Sequence, residues 1–231
     1  VITPDLDPLE LPVAVDLAAV VVGALAGAGA AVRQHFDVVG GLMLAVAMGL
    51  GGGILRDLLL GLTPVAISNQ AYLPTVAIAA VVGLVFAGLV QRVGRFVVVL
   101  DALALGLFTV VGVEKTMLVG QPVTSAVFVG VCAAIGGGVL VDLLSGRPAE
   151  VLRRGPWNAT AALVGASAYV LLAWAGAPSR VVEAVAFAVV TGMRLISLRW
   201  GVRNPDSLDI EHLLALMRRR TPPPAAGDDG S

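Results

Sequence analysis

Charge is the scarcest commodity in this sequence. Asp, Glu, Lys and Arg make up 13% of its 231 residues, where a soluble domain carries about 25%. With 58% hydrophobic residues and a mean hydropathy of +0.93, the chain lacks the polar side chains to cover a water-facing surface. That excludes a soluble globular protein and reads as an integral membrane protein. The charge present nearly cancels to a net -1, and the basic residues are dispersed, which excludes nucleic acid as a partner. Cysteine is nearly missing: Cys132 stands alone in an apolar run, so an intrachain disulfide and a cysteine-rich metal site are excluded. His35 and His212 are too isolated to bind a metal. No nucleophile-base-acid constellation emerges, so neither an enzyme nor a cofactor is expected. A basic leader is missing too. The first residues are acidic (Asp5, Asp7, Glu10, Asp16), which does not fit a cleavable signal peptide.

Glycine, by contrast, is plentiful and patterned. Gly51-Gly52-Gly53-Ile54-Leu55-Arg56-Asp57 is followed 85 residues later by Gly136-Gly137-Gly138-Val139-Leu140-Val141-Asp142. Asp16 and Asp101 share that offset, as do Gly27 and Gly112, so the chain contains an internal duplication. Three glycines in a row inside an apolar run cost roughly 1 kcal/mol each relative to alanine in a helix. The pattern predicts a helix opened or bent at each triplet. Freed carbonyls there could hold a cation, and freed N–H groups an anion or a carboxylate. The plainer alternative is that the glycines let two helices pack closely. A phosphate-binding loop is excluded, because neither triplet is followed by Lys-Ser/Thr at the required spacing.

The expected fold is an all-α membrane protein of seven transmembrane helices, two inverted three-helix repeats plus a final helix. The spans fall at about 13–32, 38–60, 72–90, 96–113, 122–144, 157–174 and 180–198, each near the ~20 residues that cross a ~30 Å core. Grouped, these give an outside N-terminus at 1–12, a first repeat at 13–95, a second at 96–176, a last helix at 177–200 and a cytoplasmic tail at 201–231. Within the tail, 208–220 could form a surface helix, and 221–231 should be disordered. An odd number of spans with the N-terminus outside puts Arg33, Arg92, Arg95, Arg147, Arg153, Arg154, Arg199, Arg203 and Arg218–Arg220 at cytoplasmic ends. Lys115 and Arg180 fall outside, an asymmetry that follows the positive-inside rule. Three spans per repeat make the two repeats inverted, a recurring plan for transport sites.

Few charged groups remain inside the spans. Arg56 and Asp57 follow the first triplet, and Arg56 could pair with Asp16 or Asp101 across helices, or snorkel to the interface. Asp16 and Asp101 open their spans, as helix caps or as carboxylates attracting cations at each mouth. Val141 stands where a second arginine would be, leaving Asp142 to Arg147 or to water. Lys115 is the only lysine among 15 basic side chains. It could gate a cation pathway or simply pair with Glu114.

Ala47–Pro64, with its GGGILRDLLLG, resembles the bacterial TRIC-like or glycine transporter membrane-protein family, the prokaryotic relatives of trimeric intracellular cation channels. Asp101–Gly120 (DALALGLFTVVGVEKTMLVG) resembles the start of that family's second repeat. The resemblance implies a homotrimer in the plasma membrane with one pore per subunit, contacting membrane lipids. It implies kinks at Gly51–Gly53 and Gly136–Gly138, with Arg56, Asp57, Lys115 and Asp142 lining or gating the pore. Val141 departs from the usual family arginine. The function expected is passage of a monovalent cation, potassium foremost, as the only bound species besides lipid. The alternatives are a carrier for glycine or another small zwitterion, and a membrane scaffold that transports nothing.

Overall fold

The computed structural model describes residues 13–91, 94–153 and 155–202, the side chains of 87–96 excepted. The acidic N-terminus, Arg92, Arg154, the side chain of Arg95 and the tail from Arg203 lie outside the described residues. The architecture is an all-α membrane fold of long apolar helices. These are α1 (Val13–Arg33), α2 (Val38–Leu59), the one-turn α3 (Val65–Ser68), α4 (Tyr72–Gln91), α5 (Gly94–Leu118), α6 (Val123–Leu144), α7 (Ala159–Trp174) and α8 (Ser179–Trp200). A 3-10 turn at Glu150–Leu152 precedes α7.

Helix starts follow local chemistry. Asp37 caps α2, its carboxylate accepting from the Gly40 N–H at 2.7 Å. Pro122 and Pro178 precede α6 and α8, setting a fixed φ where no intrahelical N–H is needed. Among the described residues, α1, α2, α6, α8 and Val97–Leu118 of α5 are long and apolar enough to cross a membrane, whereas Tyr72–Phe86 and α7 are shorter.

Helix α1 packs against α2, α4 and α5, while α5 packs against α6, α7 and α8. Small residues dominate these contacts. Val20, Ala24, Ala28, Ala45 and Ala80 fill one core; Val113, Ala126, Ala166, Val182 and Ala186 fill another. In hydrocarbon, apolar contact by itself drives no association, so close backbone approach through small side chains holds helices together. Large apolar side chains such as Ile78, Val85, Phe86, Phe128 and Leu171 point outward, which suits lipid.

Helix α2 crosses α6, and both glycine triplets lie at that crossing. The helices run through Gly51–Gly53 and Gly136–Gly138 without interruption, so the expected opening of the backbone is corrected. A Cβ on Gly52 would collide with the Ala133 carbonyl, and one on Gly137 would sit 2.6 Å from the Met48 carbonyl. Ala133 and Met48 are themselves 85 apart, as are Gly137 and Gly52. Gly51 faces Leu140 and Gly136 faces Leu55 in the same reciprocal fashion. The glycines bring two antiparallel backbones together, and that contact offsets their poor helix propensity.

Candidate functional site

Arg56, near the C-terminal end of α2, has no exposed surface. Its Nε donates to Asp57 Oδ1 at 2.8 Å, and Nη1 and Nη2 reach the two oxygens of Asp16 at 3.1 and 3.3 Å. Tyr72, opening α4, donates its hydroxyl to Asp16 Oδ2 at 2.7 Å. Lys115 Nζ, from the last turn of α5, meets Asp57 Oδ1 at 2.8 Å. The second oxygen of Asp57 accepts from the Val65 N–H at 2.9 Å, so it holds α3 in place. Five side chains from four long helices thus close one end of the bundle. Buried charges require such mutual pairing, since each alone would be costly in hydrocarbon.

Several sequence expectations are settled here. Arg56 pairs with Asp16 rather than with Asp101, and it is buried rather than reaching out to the nearby interface. Asp16 sits in the first turn of α1, as expected for a carboxylate near a helix N-terminus, and it is buried with its oxygens held by Arg56 and Tyr72. Lys115 turns to Asp57, not Glu114, because α5 continues to Leu118 and aims the ammonium across the bundle.

Asp101 and Lys115 are 14 positions apart on α5, about 21 Å along its axis at 1.5 Å per residue. A second set of charges therefore stands at the opposite end. Asp101 is not at the start of its helix: α5 begins at Gly94. Its Oδ2 accepts from Arg194 Nη2 at 2.9 Å and Nε at 3.3 Å, and Nη2 also reaches Glu150 Oε1 at 3.2 Å. Asp142 makes no ion pair with Arg147. Its Oδ2 takes the Glu150 N–H at 2.7 Å, the contact that Asp57 makes with Val65, 85 positions earlier. Gly61 and Gly146, again 85 apart, leave their helices with φ of 68° and 66°, which glycine adopts without strain.

A cavity of about 220 Å³ opens beside this second set, walled by Asp101, Asp142, Arg147, Glu150 and Arg194. It reaches inward to Gly137, Gly138, Met48 and Phe108. Phe108 is buried, with its ring edge against Gly23 and Gly52. On the other side of the crossing, Gly49, Leu50 and Gly53 border a pocket of only about 10 Å³ next to Asp16 and Tyr72.

Of the sequence candidates, Asp16, Arg56, Asp57 and Lys115 come together, while Asp101 and Asp142 share the far end. Tyr72, Glu150 and Arg194 were not singled out from sequence. Arg194 carried a usable signal: a guanidinium in the apolar run of the last helix needs a partner.

A family model described as Glycine transporter matches the chain twice, over residues 13–89 and 98–174. A UPF0126 membrane protein of Deinococcus radiodurans is 34% identical over 192 residues, spanning 82% of this chain and 89% of the relative. The TRIC trimeric intracellular cation channel orthologue from Rhodobacter sphaeroides superposes with a TM-score of 0.76 at 37% identity, covering 82% of this chain and 98% of that one. A second TRIC cation channel structure gives the same TM-score at 30% identity, covering 85% and 97%.

Proposed function

Because the chain belongs to the glycine transporter family and shares its fold with TRIC cation channels, we propose that it conducts monovalent cations, with potassium the best candidate. The protein is not an enzyme. The path runs within each subunit of a homotrimer, between two inverted repeats at 13–95 and 96–176, with residues 177–200 as the added helix. Placement in the plasma membrane with the N-terminus outside follows the arginine asymmetry, so the Asp101 end faces the cytoplasm. Membrane lipids contact the outward apolar side chains.

One observation carries this reading: a polar cavity at the Asp101 end leads to the glycine crossing, and a buried charge cluster closes the other end. Lipid-facing structure has no use for either. In this arrangement the path is shut where α2 and α6 touch, and Lys115 sets an ammonium beyond that point. Ions would be coordinated by water and side chains of the cavity, since neither helix opens its backbone. The cavity also weighs against a scaffold that transports nothing.

Recording from the purified protein in planar bilayers under potassium and chloride gradients tests the proposal. Discrete cation-selective currents are expected, with a larger unitary conductance for K115Q, which removes a repelling charge. A second reading, a carrier for glycine, is favoured by the family's description and by a cavity wall carrying three arginines (Arg33, Arg147, Arg194) and three carboxylates (Asp101, Asp142, Glu150). Saturable glycine uptake without unitary currents would establish that reading and reject the channel.

A further inference from the structure

The duplication carries over several of the contacts made by these carboxylates and breaks at position 141. Asp16 and Asp101 each receive a guanidinium; Asp57 and Asp142 each receive a backbone N–H from the element that follows. Arg56, however, has Val141 as its counterpart, and Val141 is buried with no polar atom to offer. The guanidinium that reaches Asp101 comes from α8, the helix with no copy in the duplication.

We propose that Arg194 sets ion selectivity at the Asp101 end of the path, α8 having taken over the charge that position 141 no longer supplies. This rests on the channel reading above. Three features make the residue a control point rather than a simple strut. It stands on the cavity wall, whereas Arg56 lines neither pocket. Its two partners are partly open to solvent, 29% for the Asp101 side chain and 46% for that of Glu150. Its Nη1 is buried without a hydrogen-bond partner among the described residues, while Arg56 engages all three nitrogens. Among the described residues, the formal charges on the cavity wall balance, three of each sign. Removing Arg194 leaves an excess negative charge facing the route an ion must take, and a narrow low-dielectric cavity magnifies a single charge.

The test compares wild type with R194L, E150Q and V141R/R194L in bilayers under a potassium chloride gradient. R194L is expected to move the reversal potential toward that of potassium and to raise conductance from the Asp101 side about tenfold at low salt, an effect that 1 M salt suppresses. E150Q removes one acid from a partly exposed turn and is expected to shift the reversal potential the other way. V141R/R194L returns a guanidinium to the duplicated position and is expected to restore wild-type selectivity, which a merely structural role for Arg194 would not predict. Should R194L fail to assemble, E150Q and the double variant decide. A conducting wild type with an unmoved reversal potential in E150Q, or with no restoration in V141R/R194L, overturns the role of Arg194 alone. A wild type that passes no current removes the channel reading and this inference together.

Discussion

The two ends of the molecule carry related residues and treat them differently. At the Asp16 end, Arg56 is fully enclosed and its partners Asp16 and Asp57 are buried, with Tyr72 and Lys115 completing the shell. At the Asp101 end, Arg194 is also buried but holds two carboxylates that solvent reaches, and one of its nitrogens has no partner among the described residues. The two repeats share the carboxylates and the turn contacts, and the guanidinium at the Asp101 end comes from outside the repeat. An enclosed cluster is difficult to open because every charge it releases is stranded in hydrocarbon. A cluster beside a cavity can exchange partners with water. One end is thus an enclosed cluster, and the other opens onto a cavity.

The sharpest way to break that comparison is to remove each guanidinium and measure stability. R56L leaves Asp16, Asp57 and Lys115 without their hub, and loss of one member of a buried ion cluster costs about 3–5 kcal/mol. Unfolding in detergent should show R56L strongly destabilised or unassembled. R194L should cost only about 1–2 kcal/mol, because water screens Asp101 and Glu150. Equal losses would mean that the ends are energetically alike, whatever their geometry.

Between the ends, the crossing of α2 and α6 is symmetric, and this sharpens the contrast. G52A and G137A each place a methyl against a backbone carbonyl that cannot rotate away. Each should destabilise by about 1–3 kcal/mol, by similar amounts, in the same unfolding assay. A large difference between them would show that the asymmetry extends through the middle of the molecule.

The spans, the duplication and the need of Arg56 for a carboxylate, though not which one, were legible because each follows from a pattern that hydrocarbon enforces: apolar length, repeat register, and the need of a buried charge for its opposite. Helix continuity through the glycine triplets was not. The penalty for glycine is a property of a helix on its own, and at Gly52 and Gly137 it is offset by a neighbouring backbone that sequence does not reveal. Asp101 was placed at a helix start because α5 gains its first turn from residues that read as a connection. Arg194 went unremarked because the repeat register has nothing to say about α8, and Glu150 because its contact with Asp142 is made by a backbone N–H, which no side-chain pattern reveals.

The smallest effect concerns the third glycine of each triplet, where the two ends diverge once more. An added Cβ on Gly138 would meet nothing within 4 Å, and on Gly53 only the Arg56 Nη2 at 3.8 Å. Both positions are helical, so alanine removes the entropic disadvantage of glycine and should stabilise by about 0.5–1 kcal/mol. G138A should realise that gain and slightly narrow the cavity it lines. G53A should realise less, because the methyl stands beside a guanidinium already locked by three contacts. If the third glycines served only to bring helices together, both substitutions would destabilise like G52A. A gain in melting temperature for G138A, accompanied by reduced conductance, would instead place its open side on the route the ions take.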